Sequence, residues 1–332
     1  VASGLVGIFK KIYGESWGPR LEHILRNTIL SLLEYPDTTM LGITRMLQDS
    51  DFRRRVVRKI TDPIVHAFWI NEFEKMDPKM RIEAASPILN KVGQFLSSPI
   101  IRNIVGQPKS TLDLRFAMDR GKIIIVNLSK GKIGEDNSAL LGAMMITKFQ
   151  LDAMSRANIP ADERRDFYLY VDEFQNFATD SFATILSEAR KYKLNLTMAN
   201  QYIAQMAEEV ADAVFGNVGT LVSFQVGFDD AEKIAGQFGD EELITDLVAL
   251  QVGNVYTRLL VDGMPTKVFS STTFPPSEIV RDTERREKLI RASRERYTKR
   301  REVVDDKIRR WSESAQVYAP EEKRKIEGPR NK

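Results

Sequence analysis

From Gly121 onward the chain alternates short apolar runs with stretches of helical length, and this alternation restricts the fold more than any other feature. GKIIIVNLS, over 121–129, is a continuous apolar run, the pattern of a strand buried on both faces. A helix is then expected over Asn137–Asn158, a strand over Phe167–Val171, a helix over Ser181–Tyr192 and a strand over Leu194–Ala199. A helix near Glu208–Phe215, a strand TLVSFQV at 220–226, and helices over Asp229–Phe238 and Glu241–Leu250 continue the series. Strand and helix at this spacing predict an α/β fold, a mainly parallel sheet with helices on both faces. VGNVYTRLLVDGMPTKVFSSTTF then predicts a hairpin turned at Asp262-Gly263.

Upstream of Gly121 the spacing is helical throughout. In PRLEHILRNTILSLLEYPD, residues Leu21, Ile24, Leu25, Ile29 and Leu32 fall on one stripe, and Pro36 stops the helix. TTMLGITRMLQDSDFRRRVVRKITDP predicts two short helices. HAFWINEFEKM and EAASPILNKVGQFL keep the spacing, with Pro63, Pro78 and Pro87 as punctuation and Trp69 and Phe73 as core residues. Beyond Pro275-Pro276 runs a charged helical tract with too few apolar positions for a long coiled coil. Residues 281–332 hold 18 Lys/Arg against 11 Asp/Glu, so the net +3 of the chain hides a basic tail and a remainder at −4. Such a tract is either a solvated helix with i,i+4 ion pairs or an arm for DNA, acidic protein or a membrane surface.

Composition removes several chemistries. The chain has no cysteine, so disulfides and thiolate metal sites are excluded. His23 and His66 are the only histidines, both in helical contexts, which leaves no basis for histidine zinc chemistry. No apolar run reaches the length of about 18 residues that a bilayer-spanning helix needs.

Candidate chemistry gathers where an open parallel sheet binds ligands, at the C-terminal ends of its strands. The strand FYLYV ends in Asp172 and Glu173. An apolar strand ending in Asp-Glu is the Walker B arrangement of a nucleoside triphosphatase, in which Asp holds Mg²⁺ through water and Glu polarises the attacking water. A strand that simply ends in two solvated acids has the same pattern. One strand later, in NLTMANQ, Gln201 lies just past the strand end, where a parallel neighbour brings it beside the two acids. Arg190 and Lys191 close the intervening helix. They either complement its dipole or supply an arginine finger to a neighbouring subunit's nucleotide.

Taken in order, YLYVDEFQNF, LSEARKYKLNLTMANQYIAQM and NVGTLVSFQVGFDDAEKIAGQF resemble the ATPase core of the conjugative coupling proteins, the TraG/TraD type of type IV secretion, within the HerA–FtsK group of ring-forming motors. The resemblance spans roughly residues 120–275. It implies a RecA-like P-loop NTPase core at 109–276 and an inserted all-α domain at 19–108. It also implies the end of an upstream nucleotide-binding segment at 1–18 and a charged helical tail at 277–332. It further implies ATP and Mg²⁺ as cofactors, a hexamer that pumps DNA without sequence readout, and relaxase or channel components as partners. The expected place is the cytoplasmic face of the bacterial inner membrane, with membrane helices only in an upstream segment. In these terms Asp172 is the Mg²⁺ ligand and part of the nucleotide site, Glu173 the catalytic base, Gln201 the polar sensor and Arg190 the trans-acting finger.

The phosphate loop G-x-x-x-x-G-K-[ST] is missing. Gly121-Lys122 has Phe116 where the first glycine belongs and Gly131-Lys132 has Val126 there, and neither pair is followed by Ser or Thr. In the family that loop precedes the all-α insertion, so the chain is expected to be the C-terminal part of a motor and inactive alone. For DNA contact the candidates are Lys130 and Lys132 in SKGKIGEDN, and Arg53, Arg54 and Arg55 in FRRRVVRK. Solvated loop and solvated helix face are the alternatives. A soluble HerA-like translocase of repair and an inactive scaffold remain alternatives for the whole.

Overall fold

The computed structural model describes residues 1–14, 17–178, 180–276 and 282–313. They form two compact units, one of residues 1–112, 130–137 and 284 onward, the other of 113–129 and 138–283.

The first unit is helical. Its elements are α1 (Ala2–Tyr13), α2 (Pro19–Leu33), α3 (Leu41–Gln48), α4 (Ser50–Val57), α5 (Pro63–Ala67), a π-helical stretch Phe68–Phe73, α6 (Pro78–Ser97) and α7 (Pro99–Val105). The stripe of α2 is buried as its spacing demands, from Leu21 through Leu32. Trp69 and Phe73 are fully buried, and Trp69 Nε1 donates to Ser31 Oγ at 2.6 Å, so the indole is satisfied inside the core. Pro63 and Pro78 stand at first helical turns, with Asp62 and Asp77 accepting backbone N–H groups ahead of them. Pro87 departs from expectation: it lies inside α6 without ending it. The helix survives because Ala84, Ala85, Ile88 and Val92 are buried around the lost rung, and packing outweighs one hydrogen bond. Phe9 and Tyr13 of α1 meet the Phe95 ring at 5.9 and 5.8 Å, so the expected boundary at 18/19 does not divide compact units.

The tail is corrected as well. Rather than one solvated helix it forms α15 (Thr283–Tyr297) and α16 (Arg301–Glu313), interrupted at 298–300. Val304, Ile308 and Trp311 recur on one face of α16, and Val304 is buried. The Arg45 guanidinium lies 4.6 Å from the Phe52 ring centre and 4.9 Å from that of Trp311, and its Nη1 donates to Trp311 O at 3.1 Å. Asn103 donates to Asp305 at 2.8 Å and completes the seam. The remainder of the tail, 277–281 and 314–332, lies outside the described residues.

The second unit opens with α8 (Leu114–Asp119). The short α9 (Lys130–Ile133) and the first residues of α10 (Glu135–Met154) belong with the helical unit. Strands β1 (Phe167–Val171) and β2 (Leu194–Met198) then pair in parallel from Phe167↔Leu194 to Val171↔Met198. Phe149 of α10 stacks on Phe167 at 5.8 Å. The helix α11 (Asp180–Glu188) and a 3-10 turn (Ala189–Tyr192) connect the two strands. After α12 (Glu208–Asn217), β3 (Leu221–Ser223), α13 (Phe228–Phe238) and α14 (Leu243–Ala249) come β4 (Asn254–Arg258), β5 (Leu260–Val261), β6 (Met264–Pro265) and β7 (Phe269–Thr272). Ile203, Ala231, Ile234, Ala235, Phe238 and Leu247 form a core beside them.

Two strand expectations change. Residues 121–129 form no ladder among the described residues, and Ile123 and Ile125 are 91% and 88% exposed. An apolar run becomes a buried strand only where neighbours offer it hydrogen bonds, and no described strand does. β3 joins β4 antiparallel, from Leu221↔Arg258 to Ser223↔Tyr256, instead of extending the parallel pair. The hairpin turns at Asp262 (φ 50°) and Gly263 (φ 79°), the two positive values that a type I′ turn requires.

Gly142 of α10 faces the Phe177 ring. Alanine in place of a helical glycine ordinarily stabilises by about 1 kcal/mol, but a Cβ here would lie 2.1 Å from Phe177 Cδ1. Displacing a packed ring costs about 1–3 kcal/mol, so Gly142→Ala is expected to lower the urea midpoint. A raised midpoint would mean that the ring yields freely.

Candidate functional site

The parallel register sets what meets at the strand ends. Ala199 N donates to Val171 O and Phe174 N to Ala199 O, both at 2.9 Å, so the ladder runs one step past the strands. This lays residues 199–201 alongside 172–174. Asp172 is exposed, and its Oδ1 accepts the Glu173 N–H at 3.0 Å. Glu173 has φ 51°, a left-handed conformation costing a non-glycine residue about 1–2 kcal/mol.

Three side-chain amides offset that strain. Gln175 Nε2 donates to Glu173 Oε2 at 2.6 Å, Gln201 Nε2 donates to Oε1, and Asn176 Nδ2 donates to the Glu173 carbonyl at 3.1 Å. Below them Phe174 is buried, its ring 4.5 Å from that of Phe182. The sequence placed Gln201 beside the acids and missed Gln175, although a residue two past Glu173 in a turning chain is within its reach. The donor set fits a hard cation: Asp172 retains a free carboxylate oxygen, and Mg²⁺ is commonly held by one or two carboxylates together with waters and phosphate. No group of three or more His, Cys, Asp or Glu side chains among the described residues is arranged to hold a metal ion by itself.

Arg190 lies elsewhere. It sits in the exposed 3-10 turn that leads into the N-terminal end of β2, whereas Glu173 follows the C-terminal end of β1. In parallel strands these are opposite edges, separated by five residues or about 16 Å. Its side chain makes no hydrogen bond or ion pair among the described residues. Arg190 therefore does not reach the Glu173 site of its own chain.

The turn itself is held by two arginines that sequence reading passed over. Arg156 is 0% exposed; it donates to Tyr192 O at 2.9 Å and to Arg165 O at 2.5 Å, and its Nε lies 3.0 Å from Asp119 Oδ1. Arg164 Nη1 donates to Lys191 O at 2.5 Å, and its Nε donates to Arg156 O at 3.1 Å and Ile159 O at 2.9 Å. Two carbonyls of the Arg190 turn thus end on guanidinium groups. Nothing in the local pattern distinguishes these residues from ordinary loop cations.

The DNA candidates divide. Arg53 is corrected: it is 3% exposed, with Nε on Glu74 Oε1 at 2.6 Å and Nη1 on Met46 O at 2.9 Å, so it is a core cation of the helical unit. Arg54 is exposed and pairs with Asp51 at 2.5 Å, while Arg55 is half-buried with its guanidinium 6.0 Å from the Phe52 ring centre. Lys130 pairs with Glu135 at 2.7 Å and Lys132 is exposed.

Residues 166–249, which contain Asp172, Glu173, Arg190 and Gln201, match the family model described as the TraM recognition site of TraD and TraG. In that segment the chain is similar to TraD and TraG, in line with the coupling-protein resemblance of its motifs. Two solved structures share the fold. A bacterial conjugative coupling protein, TrwBdeltaN70 in an unbound monoclinic form, aligns over 83% of this chain and 70% of its own, with TM-score 0.53 and 13% identity. VirB4 of Thermoanaerobacter pseudethanolicus aligns over 82% and 68%, with TM-score 0.50 and 12% identity. No curated protein matches the chain significantly. Among the described residues no helix is long and apolar enough to cross a membrane.

Removing Arg156 leaves the Tyr192 and Arg165 carbonyls without their guanidinium donor and Asp119 with Arg115 alone, at 3.8 Å. Arg156→Ala is therefore expected to cost about 2–4 kcal/mol in chemical unfolding, mainly from the two carbonyls left without a donor. Arg164→Ala should cost less and speed amide exchange at Lys193, whose N–H donates to Arg190 O at 3.1 Å. Unchanged exchange at Lys193 would show that the turn holds itself.

Proposed function

We propose that the chain forms the Walker B half of an ATP-driven motor that moves DNA in conjugation or type IV secretion. The observation that supports this most directly is the Glu173 carboxylate, held through both oxygens by Gln175 and Gln201 at the ends of two parallel strands. In this reading Asp172 takes Mg²⁺ through water. The bound ion would neutralise phosphate charge. Glu173 accepts the proton of the water that attacks the γ-phosphate, and Gln201 fixes the carboxylate that orients that water.

Arg190, at the far edge of the strands, serves the nucleotide of an adjacent copy, so the working form is a ring, a hexamer in this family. DNA is gripped through its backbone charge by the exposed Arg54, Lys130 and Lys132 and the half-buried Arg55. Relaxase or channel proteins deliver it at the cytoplasmic face of the inner membrane. The phosphates need a loop other than any in this chain, which contains no G-x-x-x-x-G-K-[ST]. That same lack is the observation that favours an inactive scaffold as the second reading.

Three measurements decide. The chain alone should show no turnover of ATP. In an assembly that hydrolyses ATP, Glu173→Gln should keep nucleotide binding and lose about 10²–10⁴ in turnover. Arg190→Ala should lose about 10³ or more when every subunit carries it, with activity partly restored by mixing with Glu173→Gln subunits. Full turnover of the uniform Arg190→Ala assembly would remove the finger, and full turnover of Glu173→Gln would remove the motor reading.

A further inference from the structure

The helical unit holds a cavity of about 340 Å³ between α16, the start of α3 and the segment that follows α7. Its apolar wall is Leu41, Val304, Ile308 and Trp311. The wall closes tightly because Gly106 has no side chain: a Cβ there would meet Ile308 Cδ1 at 3.0 Å and Leu41 Cδ1 at 3.1 Å. Around the opening stand Lys109, Lys299 and Lys307. All three are exposed, and none makes an ion pair or side-chain hydrogen bond among the described residues. Asp37 is the one carboxylate of the lining. The other cations of α16 are paired, Arg301 with Asp305 and Arg309 and Arg310 with Asp306. Lys299 and Lys307, together with Lys109, thus place three unpaired cations at the cavity, whereas Arg300 beside them lies outside its lining.

We propose that this cavity is a docking site for an acidic peptide segment. One apolar side chain of the segment enters against Ile308 and Trp311, and flanking carboxylates meet Lys109, Lys299 and Lys307. The volume lies at the lower end of the range for ligand pockets, about 300–1,000 Å³, which suits one or two side chains. Apolar wall and cationic rim together demand an occupant that is greasy in the middle and negative at its edges. Single-stranded nucleic acid fits less well, because its grip depends on an open aromatic face for base stacking. Trp311 already has the Arg45 guanidinium 4.9 Å from its ring centre and the Phe52 ring packed edge-on at 6.1 Å. The site belongs to the helical unit alone and does not rest on the nucleotide reading.

The test uses the full chain and a short fluorescein-labelled peptide with a central leucine flanked by glutamates, followed by anisotropy. Saturable binding is expected. It should weaken about tenfold or more in the Lys299→Glu/Lys307→Glu variant, because like charges then face each other across the rim. Since both lysines are exposed, the variant should unfold at the wild-type midpoint. Replacing the leucine of the peptide by serine should weaken binding by a similar factor, and a lysine-flanked peptide should not bind. No saturable binding, equal binding by the double variant, or indifference to the leucine overturns the proposal. So does tighter binding of an oligothymidylate than of the peptide, which would make the site one for nucleic acid.

Discussion

The parallel register of β1 and β2 governs everything placed at their ends. Five paired residues, from Phe167↔Leu194 to Val171↔Met198, set Gln201 against Glu173 at one edge and Arg190 at the other. A slip of one residue would turn each side chain of β2 to the opposite face. It would also break the bond from Phe174 N to Ala199 O, which carries the ladder into the site. Buried Val171 and Leu194, with the Phe149–Phe167 stack, make such a slip costly. Register thus does two tasks: it assembles a carboxylate site and it keeps the exposed arginine away from it.

That separation is what gives the Arg190 turn its interest. An exposed arginine on a loose turn would lose side-chain and backbone freedom on engaging any partner. Here the carbonyls of Lys191 and Tyr192 are taken by Arg164 and Arg156, so much of the backbone cost is met in folding. Arg156 tolerates full burial because its charge faces Asp119 and its Nη1 and Nη2 groups donate to the Tyr192 and Arg165 carbonyls, the geometry for which a planar guanidinium is suited. A lysine has one nitrogen and could not span the same acceptors.

The parts legible in sequence were those with a short-range signature. The stripe of α2, the Asp-Glu pair after an apolar strand, the amide after the next strand and the Asp262-Gly263 turn each follow from local spacing. The parts that were not legible depend on distant partners. GKIIIVNLS reads as a buried strand, yet strand formation needs neighbours that no described residue provides. TLVSFQV has strand character, but whether it pairs parallel or antiparallel is decided by β4, more than 30 residues on. Arg53 looks identical to Arg54 in sequence, and only the position of Glu74 makes it a core residue. The α16 stripe was visible in principle as Val304, Ile308 and Trp311, but three apolar positions in so charged a tract resemble chance.

The choice of amides around Glu173 carries a last physical point. A lysine or arginine at position 201 would hold the carboxylate more strongly, as charge-assisted bonds exceed neutral ones. It would also place a fixed positive charge beside Asp172 and neutralise the Glu173 carboxylate, and in the proposed reading that charge would oppose a divalent cation and proton transfer from water. Gln175 and Gln201 orient Glu173 while leaving its charge intact. Each carboxylate oxygen has a second lone-pair site, so the bonds that hold Glu173 do not use up its capacity to accept. The left-handed backbone at Glu173 serves the same end, turning the side chain out of the strand's alternation so that it shares an edge with Asp172. Orientation without neutralisation is what the proposed role of Glu173 requires, and its amide neighbours provide it, where Asp119 is committed to ion pairs with Arg156 and Arg115.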